Sequence, residues 1–152
     1  MKWIKNFFTF LHDILNEFEL LFEPYYMPQT LDVTTIYPDW TNPVIARHNL
    51  RVICDQEGLT FEQKTTMSKV IHCESGYNVN CVHPNLNENG EVASTDFGIC
   101  QWNDYYHGEE MPQQTALHNP EAAIRLMCKY VKQGLIKEWV CFSSGLYEHY
   151  AA

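Results

Sequence analysis

Val70-Ile71-His72-Cys73-Glu74-Ser75-Gly76-Tyr77-Asn78 is the segment from which the rest of this chain is best understood. Upstream of it, Thr60 with Gln63 three positions later forms the pattern of a capping box that opens a helix. Apolar residues then fall at Met67, Val70 and Ile71, and the next position on that stripe is Glu74. A carboxylate facing a core is unusual, because desolvation disfavours its charged form. Gly76 is a natural helix stop, so Glu74 is expected in the last turn, where the negative end of the helix dipole also raises its proton affinity. A carboxyl that keeps its proton near neutral pH is what general-acid catalysis needs. The plainer alternative is a Glu74 that points to solvent where the helix frays.

Downstream, Ser75-Gly76-Tyr77-Asn78 leads into a polar, turn-rich segment containing Asn89-Gly90, the strongest short hairpin signal. Ser94-Thr95-Asp96-Phe97-Gly98-Ile99-Cys100-Gln101 follows. Two such motifs in this order, spanning Thr60 to Gln101, resemble the lysozyme and lytic transglycosylase superfamily, whose members cleave the glycan strands of peptidoglycan. Asn119-Pro120-Glu121-Ala122-Ala123-Ile124-Arg125 is similar to a helix that lytic transglycosylases carry after their Gly-x-x-Gln motif. The resemblance implies a mainly α (α+β) fold, a helical domain with a small β-hairpin lining a cleft.

It also implies a chemistry: cleavage of the β-1,4 bond between N-acetylmuramic acid and N-acetylglucosamine. Glycoside hydrolysis pairs a carboxylic acid, which protonates the leaving oxygen, with a second carboxylate that acts as nucleophile or stabiliser. Glu74 matches the family's acid and Asp96 the second carboxylate of animal-type lysozymes. Asp96 also has a simpler reading, as a loop aspartate capping the turn at Gly98. Transglycosylases rely on the glutamate alone and form 1,6-anhydro ends; the C-terminal half leans toward that branch, and the Asp96 motif toward hydrolysis. The transglycosylase branch is the expectation. Ser75, Tyr77, Gln101 and Trp102 carry over as substrate-contacting residues. One departure stands out: where transglycosylases place a tyrosine that supports the glutamate, this chain has Phe142, so the support must come from elsewhere, with Tyr147 and Tyr150 as candidates.

Composition sets the outer bounds. The 152 residues include 45% hydrophobic and 14% aromatic side chains, ample for a packed core. The formal net charge of −9 argues against a nucleic-acid partner. It also sits awkwardly with free diffusion toward anionic bacterial walls. Six cysteines suit an exported, disulfide-bonded chain, and a Cys73–Cys81 bond would rigidify the Glu74 turn; the alternative is six small buried thiols in a reducing compartment. Neither Cys-x-x-Cys nor zincin-type histidine spacing occurs, so no metal or other cofactor is expected. Cys73 or Cys100 as a nucleophile lacks an oriented base in the sequence.

Three regions follow. Residues 1–23 form an amphipathic pattern from Trp3 through Phe22, interrupted by His12 and Asp13 and without a small-residue cleavage site, so a cleavable signal peptide is not expected. Packing on the domain, lying on a membrane and docking a protein partner all stay open for it. Residues 24–43 carry Pro24, Pro28, Pro38 and Pro43 and are expected as a linker lying across the domain surface. Residues 44–152 are expected as the catalytic domain, with helices opened by Asn42-Pro43 and Asn119-Pro120, an irregular segment from Trp102 to Thr115, and a short helix over 135–144 burying Trp139 and Phe142. An extracytoplasmic location, secreted or phage-delivered, is expected.

Overall fold

A computed structural model describes residues 31–152, of which Val33–Ala152 form a compact unit. The amphipathic pattern over 1–23 and the first part of the proline-rich segment lie outside the described residues.

The unit is mainly helical with a small antiparallel sheet, an α+β architecture. Helix α1 runs Pro43–Gln56: the Asn42 side chain accepts from the Val44 amide, and Pro43 supplies a first-turn position that needs no N–H donor. Helix α2 runs Phe61–Ser75, opened by a complete Thr60–Gln63 capping box and closed by Gly76 in the left-handed region at φ +61°. Three strands follow, β1 (Val82–Leu86), β2 (Val92–Phe97) and β3 (Trp102–Asn103), in spatial order β1-β2-β3. Short helices α3 (Asp104–His107) and α4 (Gln113–His118) lead to α5 (Pro120–Lys132), whose N-cap Asn119 accepts from the Ala122 amide. A 3-10 turn at Leu135–Glu138 and the four-residue α6 (Val140–Ser143) complete the part that shapes the site.

The core lies where α1, α2 and α5 meet. Leu50 and Ile53 from α1, Met67, Val70 and Ile71 from α2, and Ile124, Met127 and Cys128 from α5 are almost fully buried together with Ile99 and Trp102. Burying each large apolar side chain is worth roughly 1.5–3 kcal/mol, so this cluster is what fixes the end of α2 in space. Arg125 on α5 adds a polar clamp, bonding Glu121 on its own helix and Gln56 and Glu57 at the end of α1. Residues 35–40 lie against α1, with Tyr37 and Asn49 exchanging two hydrogen bonds of 2.8 and 2.7 Å. Among the described residues no helix is long and apolar enough to cross a membrane.

The hairpin signalled by Asn89-Gly90 does form between β1 and β2; within its connection the Gly90 amide bonds the Asn87 carbonyl, Gly90 itself takes φ +80°, and the Asn87 amide bonds the Glu91 carbonyl. Several local expectations are revised. The segment after Trp102 is ordered into β3, α3 and α4 rather than left irregular. The expected helix over 135–144 breaks at Trp139, which is extended at φ −79°, ψ 129°; Trp139 is buried and Phe142 only half so, against Tyr147. The disulfide joins Cys73 to Cys141, not to Cys81. Packing of α6 onto α2 brings residue 141 to the helix end, while Tyr77 at φ +64° turns the chain away before it reaches residue 81.

Candidate active site

Glu74 is the penultimate residue of α2, half-buried at the mouth of a cleft of about 330 Å³. The cleft runs between the helix end and the sheet, with Glu74 on one wall and Asn85, Ser94, Asp96 and Asn103 on the other. Burial pushes the Glu74 carboxyl above the ordinary glutamate range, and the negative charge of Asp96 adds to this. Two influences oppose the rise: the Cys141 N–H, which donates to Glu74 Oε1 at 3.0 Å, and the proximity of His83. The backbone of residue 141 therefore supplies the support that Phe142 cannot. Neither Tyr147 nor Tyr150 fills that role; they pack against Phe142 and His72.

Asp96 owes its position to strand alternation. Ser94 and Asp96 share one face of β2, opposite Asn85 and His83 of β1 respectively, and Asp96 also pairs with Asn103 of β3. Asn85 Nδ2 donates to Asp96 Oδ2 at 2.9 Å and Asn103 Nδ2 to Oδ1 at 2.7 Å, so both oxygens are held. The same Asn103 amide reaches Ser94 Oγ at 2.9 Å. The turn at Gly98 is made without the Asp96 side chain, which faces the cleft instead. Glu74 and Asp96 thus meet across one groove, delivered by a helix and a strand about 20 residues apart in sequence.

The remaining expected contacts divide. Gln101 lines the cleft, but its side-chain amide is engaged by the Gly98 and Cys81 carbonyls, and its backbone takes φ +52°. Ser75 does not line the cleft; its hydroxyl reaches the Ile99 carbonyl at 2.7 Å and ties the helix end to the loop after β2. Tyr77 is buried, its hydroxyl donating to the Ser68 carbonyl at 3.1 Å. Trp102 is 1% exposed and donates to the Ala123 carbonyl. Its burial follows from the pleat: Asn103 turns toward Asp96, so its neighbour must turn into the core, beside Phe97.

Residues beyond those picked out complete the groove: Tyr106, His107, Glu138, Trp139 and Val140. Trp139 Nε1 donates to the Cys100 carbonyl at 2.7 Å and its ring abuts Trp102, Tyr130 and His107. His107 Nε2 lies 3.7 Å from Glu138, and the Tyr130 phenol, bonded to Glu110, is pushed up to about 12 by burial and by that bond. Asn103 had no sequence signal of its own: Gln101 before it is a turn residue at φ +52°, and a two-residue strand carries no alternation. The 138–140 wall had no sequence signal, since a 3-10 turn meeting a four-residue helix has no useful period.

Neither Cys73 nor Cys100 presents a free, accessible thiol. Cys73 is disulfide-bonded, and burial raises the Cys100 thiol far above its usual range. Cys81 is raised too, by burial and by the negative charges of Glu74 and Asp96. Among the described residues no group of three or more His, Cys, Asp or Glu side chains could hold a metal ion. A second depression, of about 280 Å³ between α1 and α2, contains Arg47, Arg51, Asp55 and Phe61 and none of the residues singled out by sequence. No protein-family model matches this chain, and no curated protein matches it either.

Proposed function

We propose that this protein is a lysozyme-like muramidase that cleaves the β-1,4 bond between N-acetylmuramic acid and N-acetylglucosamine in peptidoglycan. The observation that carries this reading is the pairing of two carboxyls of different character across one cleft: Glu74, half-buried and inclined to keep a proton, and Asp96, held by Asn85 and Asn103. Such a pair does the work of glycoside hydrolysis. The Glu74 carboxyl gives its proton to the glycosidic oxygen as the bond from the sugar's anomeric carbon breaks. Asp96 faces the positive charge that develops on that carbon, or attacks it. Glu74, now a carboxylate, then takes a proton from the incoming water.

The fixed position of Asp96 favours hydrolysis over the transglycosylase branch, in which Glu74 acts alone and the sugar's own 6-hydroxyl replaces water. A disulfide beside the acid accords with action outside the cytoplasm. The test is turbidity loss of purified peptidoglycan followed by mass spectrometry of the released fragments. Wild-type protein is expected to clear the suspension and leave reducing ends, with Glu74→Gln slower by about 10²–10⁴-fold. Anhydro ends, one water lighter, would return the protein to the transglycosylase branch. An inert wild type would leave a glycan-binding or assembly module with this architecture.

A further inference from the structure

The end of α2 and the turn Trp139–Ser143 are joined twice within a few ångströms. Cys73, the residue immediately before Glu74, is bonded through sulfur to Cys141. The Cys141 N–H in turn donates to Glu74 Oε1 at 3.0 Å. The residue whose amide serves the acid is therefore the one covalently tied to the acid's chain neighbour.

The segment carrying that amide is short and only partly buried. α6 is four residues long, and so short a helix has no stability of its own. Val140 is 71% exposed and Phe142 is only half-buried. The anchor on the N-terminal side is Trp139, bonded to the Cys100 carbonyl. On the C-terminal side it is the disulfide, together with Phe142 stacked on Tyr147. Cys54, Cys81, Cys100 and Cys128 remain thiols, so the single cross-link among the described residues falls beside the acid rather than in the helical core.

We propose that the Cys73–Cys141 disulfide is a positioning element for Glu74, holding the Cys141 amide on the carboxyl and making the oxidised site the more active one; this rests on Glu74 being the acid proposed above. Oxidation occurs by exchange with an external disulfide: the two thiols lose two protons and two electrons, one sulfur–sulfur bond forms, and the external disulfide becomes two thiols. Reduction by a dithiol reverses it. Cys73 is the more exposed of the two residues and is where exchange enters. The groups facing Glu74 are Asp96 of β2, His83 of β1, Cys81 before the sheet and the Cys141 amide of α6, with His107 and Glu138 further along the cleft.

The test compares the full chain, oxidised, with the Cys73→Ser/Cys141→Ser double variant. Loss of the amide donor leaves burial less opposed, so the Glu74 titration midpoint, read by carbon NMR of labelled glutamate, is expected to move upward. The alkaline limb of the cleavage profile should follow it, with turnover falling tenfold or more. A purely structural bond would lower the folded fraction without moving that limb. Should the double variant fold poorly, hydrogen exchange of the Cys141 amide in wild-type protein, before and after dithiothreitol at a temperature where far-UV circular dichroism is retained, reads the same contact; a tenfold or greater loss of protection is expected. An unmoved midpoint in the folded variant, or unchanged protection in the reduced protein, overturns the proposal while leaving an active wild type's assignment intact. A wild type that cleaves no glycan overturns the assignment itself, and neither the titration nor the exchange measurement depends on it.

Discussion

Glu74 sits where a carboxylate is poorly solvated, and its protonation is linked to stability. Burial raises its affinity for a proton in the folded state. Between the ordinary glutamate value and the raised one, the unfolded chain has released a proton that the folded chain retains. Stability therefore falls as pH rises through that window and levels off above it. Glu74→Gln has no proton to release there, so it is expected to gain stability relative to wild type as pH is raised from 4 to 7, measured by urea midpoints at each pH. No such gain would mean that residue 74 is solvated as an ordinary glutamate. Asp96 makes a second prediction. Asp96→Asn should lower cleavage by about 10²-fold or more if that carboxylate stabilises the transition state, whereas near-normal turnover would assign the chemistry to Glu74 alone. Both residues were legible because each lies on a periodic element. Tyr77 and Trp102 are buried instead of lining the cleft: an aromatic side chain beside such a motif suits a sugar platform and a core equally well in sequence, and φ +64° at Tyr77 and the pairing of Trp102 with Phe97 set their direction.

Elements with an internal period and a cap matched their sequence signals. α1, α2 and α5 begin at Asn42, Thr60 and Asn119, each with its side chain bonded to a free amide of the first turn. β3 could not be seen in the same way: two residues carry no alternation, and the strand exists because Asp96 and Phe97 offer it partners. The loop between β2 and β3 is more constrained than its sequence suggests. Gly98 has φ +73°, and a Cβ there would lie 2.1 Å from the Ala116 carbonyl oxygen, which belongs to backbone and cannot swing aside. Gly98→Ala combines a strained dihedral with a collision and should cost roughly 3 kcal/mol or more. Thermal unfolding should show a fall of about 10 °C or more. A drop of only a degree or two would show that the loop shifts freely away from α4.

The chain as a unit carries a formal net charge of −9 and approaches, on the reading above, an anionic wall. Repulsion of that kind is screened by salt, with a Debye length of roughly 30 Å at 0.01 M falling to about 8 Å at physiological ionic strength. Cleavage of intact walls should therefore rise several-fold over that range, while cleavage of short uncharged chitin-type oligosaccharides should stay nearly level. A rate that falls with salt would place a local cationic surface in control of encounter. Length, amphipathic stripes, caps and the glycine stops specify the helices and the hairpin, because these depend on neighbours within a few positions along the chain. The pairing of Cys73 with Cys141, the amide offered to Glu74 from residue 141 and the inward turn of Trp102 depend on contacts between residues up to 68 positions apart. Those contacts arise from burying one shared core, which no local pattern encodes.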